Sequence, residues 1–348
     1  MKKEDTRHQT LYRQYRPGTF DEVRGQAHVV DTLEKAIKHK KIAHAYLFSG
    51  GRGTGKTTVA RILARELGVS DKDLYEMDAA SNRGIDDIRE LREGVYAMPF
   101  ESPYKFYIID EAHMLTKEAW NALLKTLEEP PAHCIFVLAT TEMHKVPDTI
   151  QSRCEVYAFK QPTREVLAQI VVDVAQSEGF TLEKPAAELV ALLAEGSFRD
   201  ALSVLQKILS VSVGKKIDIS AVEVIFGAPK GEIVRDIIRG LAAKDASVAL
   251  SAIRRAVSGN MDARTLTKIL IERMRVMLLM RYAPDMRESL EGELSEADLA
   301  LAKDIVKDPG IASETLRALL EAYSIMAYAA VPHMPLELAV IDLCAPQE

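Results

Sequence analysis

The chain has 348 residues, 47% of them apolar and 28% charged, with a net charge of −6 at neutral pH. That composition belongs to a folded globular protein, and the length to two or three domains rather than one core. The longest apolar runs, such as residues 276–280, fall far short of the roughly 18 residues of a membrane span, so no bilayer segment is expected. Met1-Lys2-Lys3-Glu4-Asp5 offers no apolar core of a secretory signal, and a cytoplasmic location is the expectation. Charge is uneven: residues 1–60 hold 12 Lys and Arg against 6 Asp and Glu, which leaves −12 on the remainder. A local basic surface is compatible with contacts to a phosphate backbone, and equally with ordinary solvated charge. Cys134, Cys154 and Cys344 lie far apart without a C-x-x-C pair, so neither a metal site nor a disulfide framework is expected.

In chain order, an aromatic and basic segment, Leu11-Tyr12-Arg13-Gln14-Tyr15-Arg16-Pro17, comes first and is followed by a helical pattern over 28–38. Such a segment either packs on a sheet or serves the loop that follows. Ala45-Tyr46-Leu47-Phe48 is an apolar strand, and Gly50-Gly51-Arg52-Gly53-Thr54-Gly55-Lys56-Thr57 follows it and opens into a helix from Thr58. Strand, loop and helix frame the pattern G-x-x-x-x-G-K-[ST]. In that pattern glycines let backbone N–H groups face a β-phosphate, the lysine reaches the β- and γ-phosphates, and the hydroxyl ligates magnesium. Residues 74–78 read as a second strand, Ser81-Asn82-Arg83-Gly84 as a turn, and Ile85, Ile88, Leu91 and Val95 as one face of a helix.

Residues 105–109 form a third strand ending at Asp110-Glu111. Two carboxylates at the end of a buried strand suit magnesium binding by the first and activation of a water by the second. Trp120 to Glu128 is a helix stopped by Pro130-Pro131, residues 134–139 a strand running into Thr140-Thr141, and Gln151-Ser152-Arg153-Cys154 precedes a strand over 155–159. This alternation implies an α/β fold, a parallel sheet flanked by helices. Strand signals stop at Pro162. Three short helices are expected over 163–225, the third opening at Gly196-Ser197-Phe198-Arg199, then a break at Gly227-Ala228-Pro229 and a helical bundle over 230–345 interrupted at 258–259, 284, 309–310 and 332. The expected domains are 1–161, 162–226 and 227–348.

These blocks, in this order, resemble AAA+ ATPases of the clamp-loader type, the gamma/tau subunits of bacterial DNA polymerase III above all. The resemblance rests on Tyr15-Arg16-Pro17, His44-Ala45-Tyr46-Leu47-Phe48-Ser49-Gly50, Asp78-Ala79-Ala80-Ser81-Asn82, Leu123-Leu124-Lys125-Thr126-Leu127-Glu128-Glu129-Pro130-Pro131, Leu138-Ala139-Thr140-Thr141, Ser152-Arg153-Cys154 and Gly196-Ser197-Phe198-Arg199-Asp200-Ala201-Leu202. It implies an AAA+ domain, a helical lid and an all-helical collar that holds a ring together. It also implies ATP and Mg2+ as cofactors, with the sliding clamp, primer-template DNA and other clamp-loader subunits, in a hetero-pentamer, as partners.

By the same resemblance Lys56, Glu111, Arg153, Thr141 and Arg199 are the catalytic set, with Thr141 sensing the γ-phosphate, Arg199 reaching in from the lid and Arg153 serving a neighbour's site. Tyr12, Arg16, Gly25, Gln26, Gly50, Arg52, Gly53, Thr54, Gly55, Lys56, Thr57, Thr58 and Arg199 would bind nucleotide, and Thr57 and Asp110 magnesium. Asn82, Arg83 and Arg89 would follow DNA phosphates, and 95–100 would touch the clamp. Family members usually carry a four-cysteine zinc module between the P-loop helix and the second strand. Here Gly68-Val69-Ser70-Asp71-Lys72-Asp73 crosses directly, so no zinc is expected. The end at Glu348 fits the short, gamma-like form. A branch-migration or fork-remodelling AAA+ ATPase, or a structural subunit that binds ATP without hydrolysing it, are the alternative readings.

Overall fold

The computed structural model describes residues 9–345 apart from 83, 213, 227–230, 260, 288, 289, 291–293 and 295. Its centre is a five-stranded sheet of β1 (Ala45–Gly50), β2 (Leu74–Asp78), β3 (Lys105–Asp110), β4 (Cys134–Thr140) and β5 (Glu155–Phe159). The strand order is β2-β3-β4-β1-β5, and every pairing is parallel. β4 is buried at all seven positions, and β1 and β3 are buried over most of their length, the pattern of strands covered on both faces. The edge strands β2 and β5 are largely exposed or half-buried.

Among the described residues six α-helices accompany this sheet: α1 (Leu11–Gln14), α2 (Ala27–Lys38), α3 (Lys56–Glu66), α4 (Ile85–Val95), α5 (Lys117–Glu128) and α6 (Asp148–Gln151). Alternation along each strand divides the core in two. Tyr46, Phe48, Phe106, Ile108 and Val137 pack with Val29 and Leu33 of α2 and Val59, Ile62 and Leu63 of α3. Leu47, Tyr107, Ile109, Phe136 and Leu138 pack with Ile88 and Val95 of α4 and Trp120, Leu123 and Leu127 of α5. α5 begins three residues before Trp120 because the Thr116 hydroxyl caps it, accepting from Ala119 N at 3.2 Å.

The chain falls into two compact units, Met1–Ser210 and Val211–Glu348. In the region where three helices were expected there are four, α7 (Arg164–Ser177), α8 (Lys184–Leu193), α9 (Phe198–Val211) and α10 (Ile219–Phe226). Two strands of two residues each, Thr181–Leu182 and Lys216–Ile217, also lie where strand signals were read as having stopped. Two residues are too few to print a period of two on a sequence.

The second unit contains α11 (Gly231–Ala243), α12 (Ala246–Ser258), α13 (Ala263–Tyr282) and helices over Glu296–Ile305, Ser313–Ile325 and Met334–Cys344. Of the expected interruptions, 258–259 falls at the end of α12, 284 opens a 3-10 turn just after α13, and 309–310 and 332 lie between helices, while Gly227-Ala228-Pro229 lies outside the described residues. One further break carries neither glycine nor proline. Lys244 turns left-handed at φ 55°, and Asp245 caps α12 by accepting from Val248 N at 3.1 Å.

A candidate nucleotide site at the strand ends

Because β1 lies between β4 and β5, the carboxyl ends of β3, β4 and β1 stand side by side, where open α/β sheets hold ligands. β1 runs into the glycine-rich loop, and α3 starts at Lys56 with Gly55 before it at φ 103°, a conformation that suits glycine. The Lys56 ammonium donates to the carbonyls of Gly50 and Gly51, each at 2.8 Å, and its side chain is buried. Burial lowers its pKa, and the carboxylates of Glu111 and Asp110 act against that shift. Thr54 is fully buried, its hydroxyl donating to Gly51 O at 2.9 Å to close the turn. Arg52 is exposed.

Thr57 Oγ1 donates to Asp110 Oδ2 at 2.7 Å, joining the start of α3 to the end of β3. These are hard oxygen donors at one point, the chemistry that suits Mg2+ beside a phosphate. Glu111 follows in the left-handed region at φ 47°, its N–H donating to Asp110 Oδ1 at 3.0 Å. That turn takes its carboxylate away from Asp110 and towards β4, where Thr141 Oγ1 donates to Glu111 Oε2 at 3.1 Å. The acid and the threonine sensor expected from sequence are therefore hydrogen-bonded partners.

The residues preceding β1 and the helices following β5 meet the same loop. Gln26 is completely buried. Its amide donates to Thr54 O at 3.3 Å and Lys160 O at 2.7 Å, and its oxygen accepts from Lys160 N at 3.1 Å, so it braces the loop against the end of β5. Gly25, at φ 73°, lies against Phe198, Val166 and Pro162. Arg16 Nε donates to Thr58 Oγ1 at 3.0 Å, and burial lowers its pKa. The Arg199 guanidinium lies 4.8 Å from the centroid of the Tyr12 ring, a cation–π contact between two of the expected nucleotide residues.

Other expected residues are not gathered here. Arg153 donates to Thr149 O at 2.6 Å and forms an ion pair with Glu128 at 2.7 Å on its own subunit. Asn82 donates to Asp78 O at 3.3 Å, Arg89 pairs with Asp86 at 3.1 Å on an exposed face, and Arg83 lies outside the described residues. Within 95–100, Val95 is fully buried while Tyr96, Met98 and Phe100 are 62%, 73% and 74% exposed, with Ala97 exposed and Pro99 half-buried between them. Among the described residues no group of three or more His, Cys, Asp or Glu side chains could hold a metal, and no helix is long and apolar enough to cross a membrane.

Sequence reasoning missed two contributors. Phe198 N donates to Gly53 O at 3.0 Å, and Ser197 sits directly over Gly53. His113, 6% exposed, lies within 3.5 Å of Glu111 Oε2 and 3.3 Å of Glu142 Oε1. The run Asp110-Glu111-Ala112-His113 was the available signal for the histidine; nothing local marks the serine.

A parallel sheet with this loop, two terminal acids and a helical region reaching back to the loop defines an AAA+ P-loop ATPase. The family described as DNA polymerase III, delta subunit, matches residues 25–82 and 69–163, and the DNA polymerase III clamp loader subunit ATPase lid domain matches 167–214. The DNA polymerase III subunit tau of Bacillus subtilis is 38% identical over 360 aligned positions, covering 97% of this chain and 63% of that protein. The gamma/tau subunit of Mycobacterium tuberculosis is 39% identical over 298, covering 79% and 52%, and the gamma subunit of Buchnera aphidicola 38% over 225, covering 59% and 61%. The chain thus belongs to the gamma/tau family of DNA polymerase III clamp-loader subunits, and it spans about half to two thirds of the length of these relatives. Among solved structures, the Thermotoga maritima RuvB Holliday junction branch migration motor has a similar fold, with a TM-score of 0.52 and 23% identity over 65% of this chain and 79% of that one.

Proposed function

We propose that the chain is an ATP-hydrolysing clamp-loader subunit that, with its partner subunits, opens a sliding clamp and places it on primer-template DNA. The observation that carries the reading is the pair of linked contacts at the strand ends, Thr57 to Asp110 and Thr141 to Glu111. They separate the two acids into two roles. Asp110, held at the helix start, is the magnesium ligand with Thr57. Magnesium would neutralise charge on the β- and γ-phosphate oxygens. Glu111, turned towards β4, orients the attacking water and takes its proton, while Thr141 holds its carboxylate and senses the γ-phosphate. Lys56 supplies the cation for the β- and γ-phosphates, and the glycines at 50, 53 and 55 let backbone N–H groups approach them. Tyr12, Arg16 and Arg199 form the wall on the lid side.

The division into an ATPase domain over 1–161, a lid over 162–226 and a collar over 227–348 belongs to this reading. So do Asn82, Arg83 and Arg89 as phosphate contacts on DNA, and the exposed Tyr96, Met98 and Phe100 as the clamp contact, a cluster large enough to anchor a protein interface. The ion pair with Glu128 supports a structural role for Arg153 beside that of a finger in a neighbour's site, and the two are compatible if the side chain changes partner on assembly. The direct test is placement of labelled clamp on primed circular DNA by the chain assembled with its cognate subunits. Placement should require ATP and magnesium; placement without ATP, or none in a complete assembly, would refute the reading.

A further inference from the structure

Beside Glu111 a buried polar cluster has no part in the scheme above. His113 projects from the short 3-10 turn after β3, Ala112–Met114, and its side chain is 6% exposed. Its Nδ1 lies 3.1 Å from Thr140 Oγ1 and 3.5 Å from Glu111 Oε2, and its Nε2 lies 3.3 Å from Glu142 Oε1. The far end is anchored in turn, since Lys145 pairs with Glu142 at 2.8 Å and keeps its carboxyl ionised more readily than usual, with smaller contributions from His113 and His144. Thr140 is fully buried, and its hydroxyl oxygen accepts from Glu142 N at 3.0 Å.

These partners assign the protons. Glu142 Oε1 only accepts, so a hydrogen on Nε2 is what makes the 3.3 Å contact between them favourable. Thr140 Oγ1 already accepts one backbone N–H, and its own hydrogen is satisfied by donating to the lone pair on Nδ1. With the hydrogen on Nε2 alone, Nδ1 presents none to Glu111. Thr141 remains the donor to Glu111 Oε2, and the rest of the carboxylate is left available as a base.

We propose that His113 is a positioning residue for Glu111, a strut held between Thr140 and Glu142 that fixes the carboxylate opposite the Thr141 hydroxyl. The proposal rests on Glu111 being the base and adds the group that aims it.

The test uses the full chain assembled with its cognate subunits and compares His113→Phe, which keeps a ring but removes both nitrogens, with His113→Asn, whose amide reaches the position of Nδ1. His113→Phe should lower kcat for ATP about 10-fold with KM and nucleotide binding within twofold of the parent, and His113→Asn should recover to within about threefold. If His113→Phe does not fold, His113→Ala replaces it with the same expectations. On a Glu111→Gln background His113→Phe should cost nothing more, because it acts through Glu111. Nitrogen-15 spectra of the imidazole should show the Nε2–H tautomer at neutral pH. Parent kcat in His113→Phe, a full additional loss on Glu111→Gln, or an Nδ1–H tautomer would each overturn the strut. Parent turnover in Glu111→Gln alone would instead overturn the base assignment beneath it.

Discussion

Phe198 N donates to Gly53 O at 3.0 Å, so α9 begins on the phosphate loop itself, with Ser197 filling the space above Gly53. A Cβ on Gly53 would lie 1.9 Å from Ser197 Oγ, and φ at Gly53 is 68°. Gly53→Ala therefore combines backbone strain with overlap and should cost about 2 to 4 kcal/mol, with ATP affinity falling about 10-fold. The double variant Gly53→Ala with Ser197→Gly removes the overlap and should recover part of the thermal stability. No recovery would mean the contact is not what makes glycine necessary.

Asp110→Asn keeps an oxygen able to accept from Thr57 but halves the charge logic of the site by removing the anion. Folding should be nearly unchanged, while turnover at saturating ATP falls by about 10²-fold and needs far more magnesium. A magnesium titration of kcat checks this, and a parent-like titration would remove Asp110 as the ligand.

Asp73 is buried, and burial pushes its carboxyl up. Donation from Glu101 N at 3.0 Å, Phe100 N at 2.6 Å and Ser102 N at 2.9 Å more than reverses that, leaving it at about 2. A folded-state pKa below the unfolded one gives stability that is present above about pH 4 and lost as pH falls towards 2. Asp73→Ala should be about 3 kcal/mol less stable at pH 7, because three N–H groups lose a charged acceptor, and the gap should narrow in acid. Urea unfolding at pH 7 and pH 3 measures it, and hydrogen exchange should locate the loosening at 100–102, beside the exposed Met98.

The same carboxylate shows why part of this architecture could be read in advance and part could not. The phosphate loop, the five strands and Asp110-Glu111 are written locally, in glycine spacing, apolar runs and a charge pair at a strand end. Asp73 bonds a segment 27 to 29 residues away, and Ser197 meets Gly53 across the first unit, so neither leaves a mark near itself. Gln26 was read through resemblance as a nucleotide residue, and the structure shows it bracing the loop by bonds to backbone that no sequence pattern encodes. The break at Lys244-Asp245 is the opposite case, since its capping aspartate is a local signal of a helix start.

Arg153 and Glu128 are both partly exposed, and such a pair is worth at most about 1 kcal/mol. Arg153→Ala should therefore fold and bind ATP nearly as the parent does, yet turn over about 10³-fold slower in the assembly if the arginine serves a neighbour. Mixing Arg153→Ala with Lys56→Ala subunits should restore some activity, since the first has a working site and the second a working arginine. If mass measurement shows mixed oligomers that stay inactive, the arginine serves only its own subunit.

In the proposed function ATP binding drives engagement of clamp and DNA, and hydrolysis through Glu111 releases them. Glu111→Gln keeps the left-handed turn and the contact to Thr141 but cannot take a proton. Dissociation of labelled clamp from primed DNA should be followed with the assembled Glu111→Gln protein in ATP and magnesium. The complex should form as tightly as the parent's and not release. Release and ATP turnover at the parent rate, or a complex that forms equally well without ATP, would contradict it.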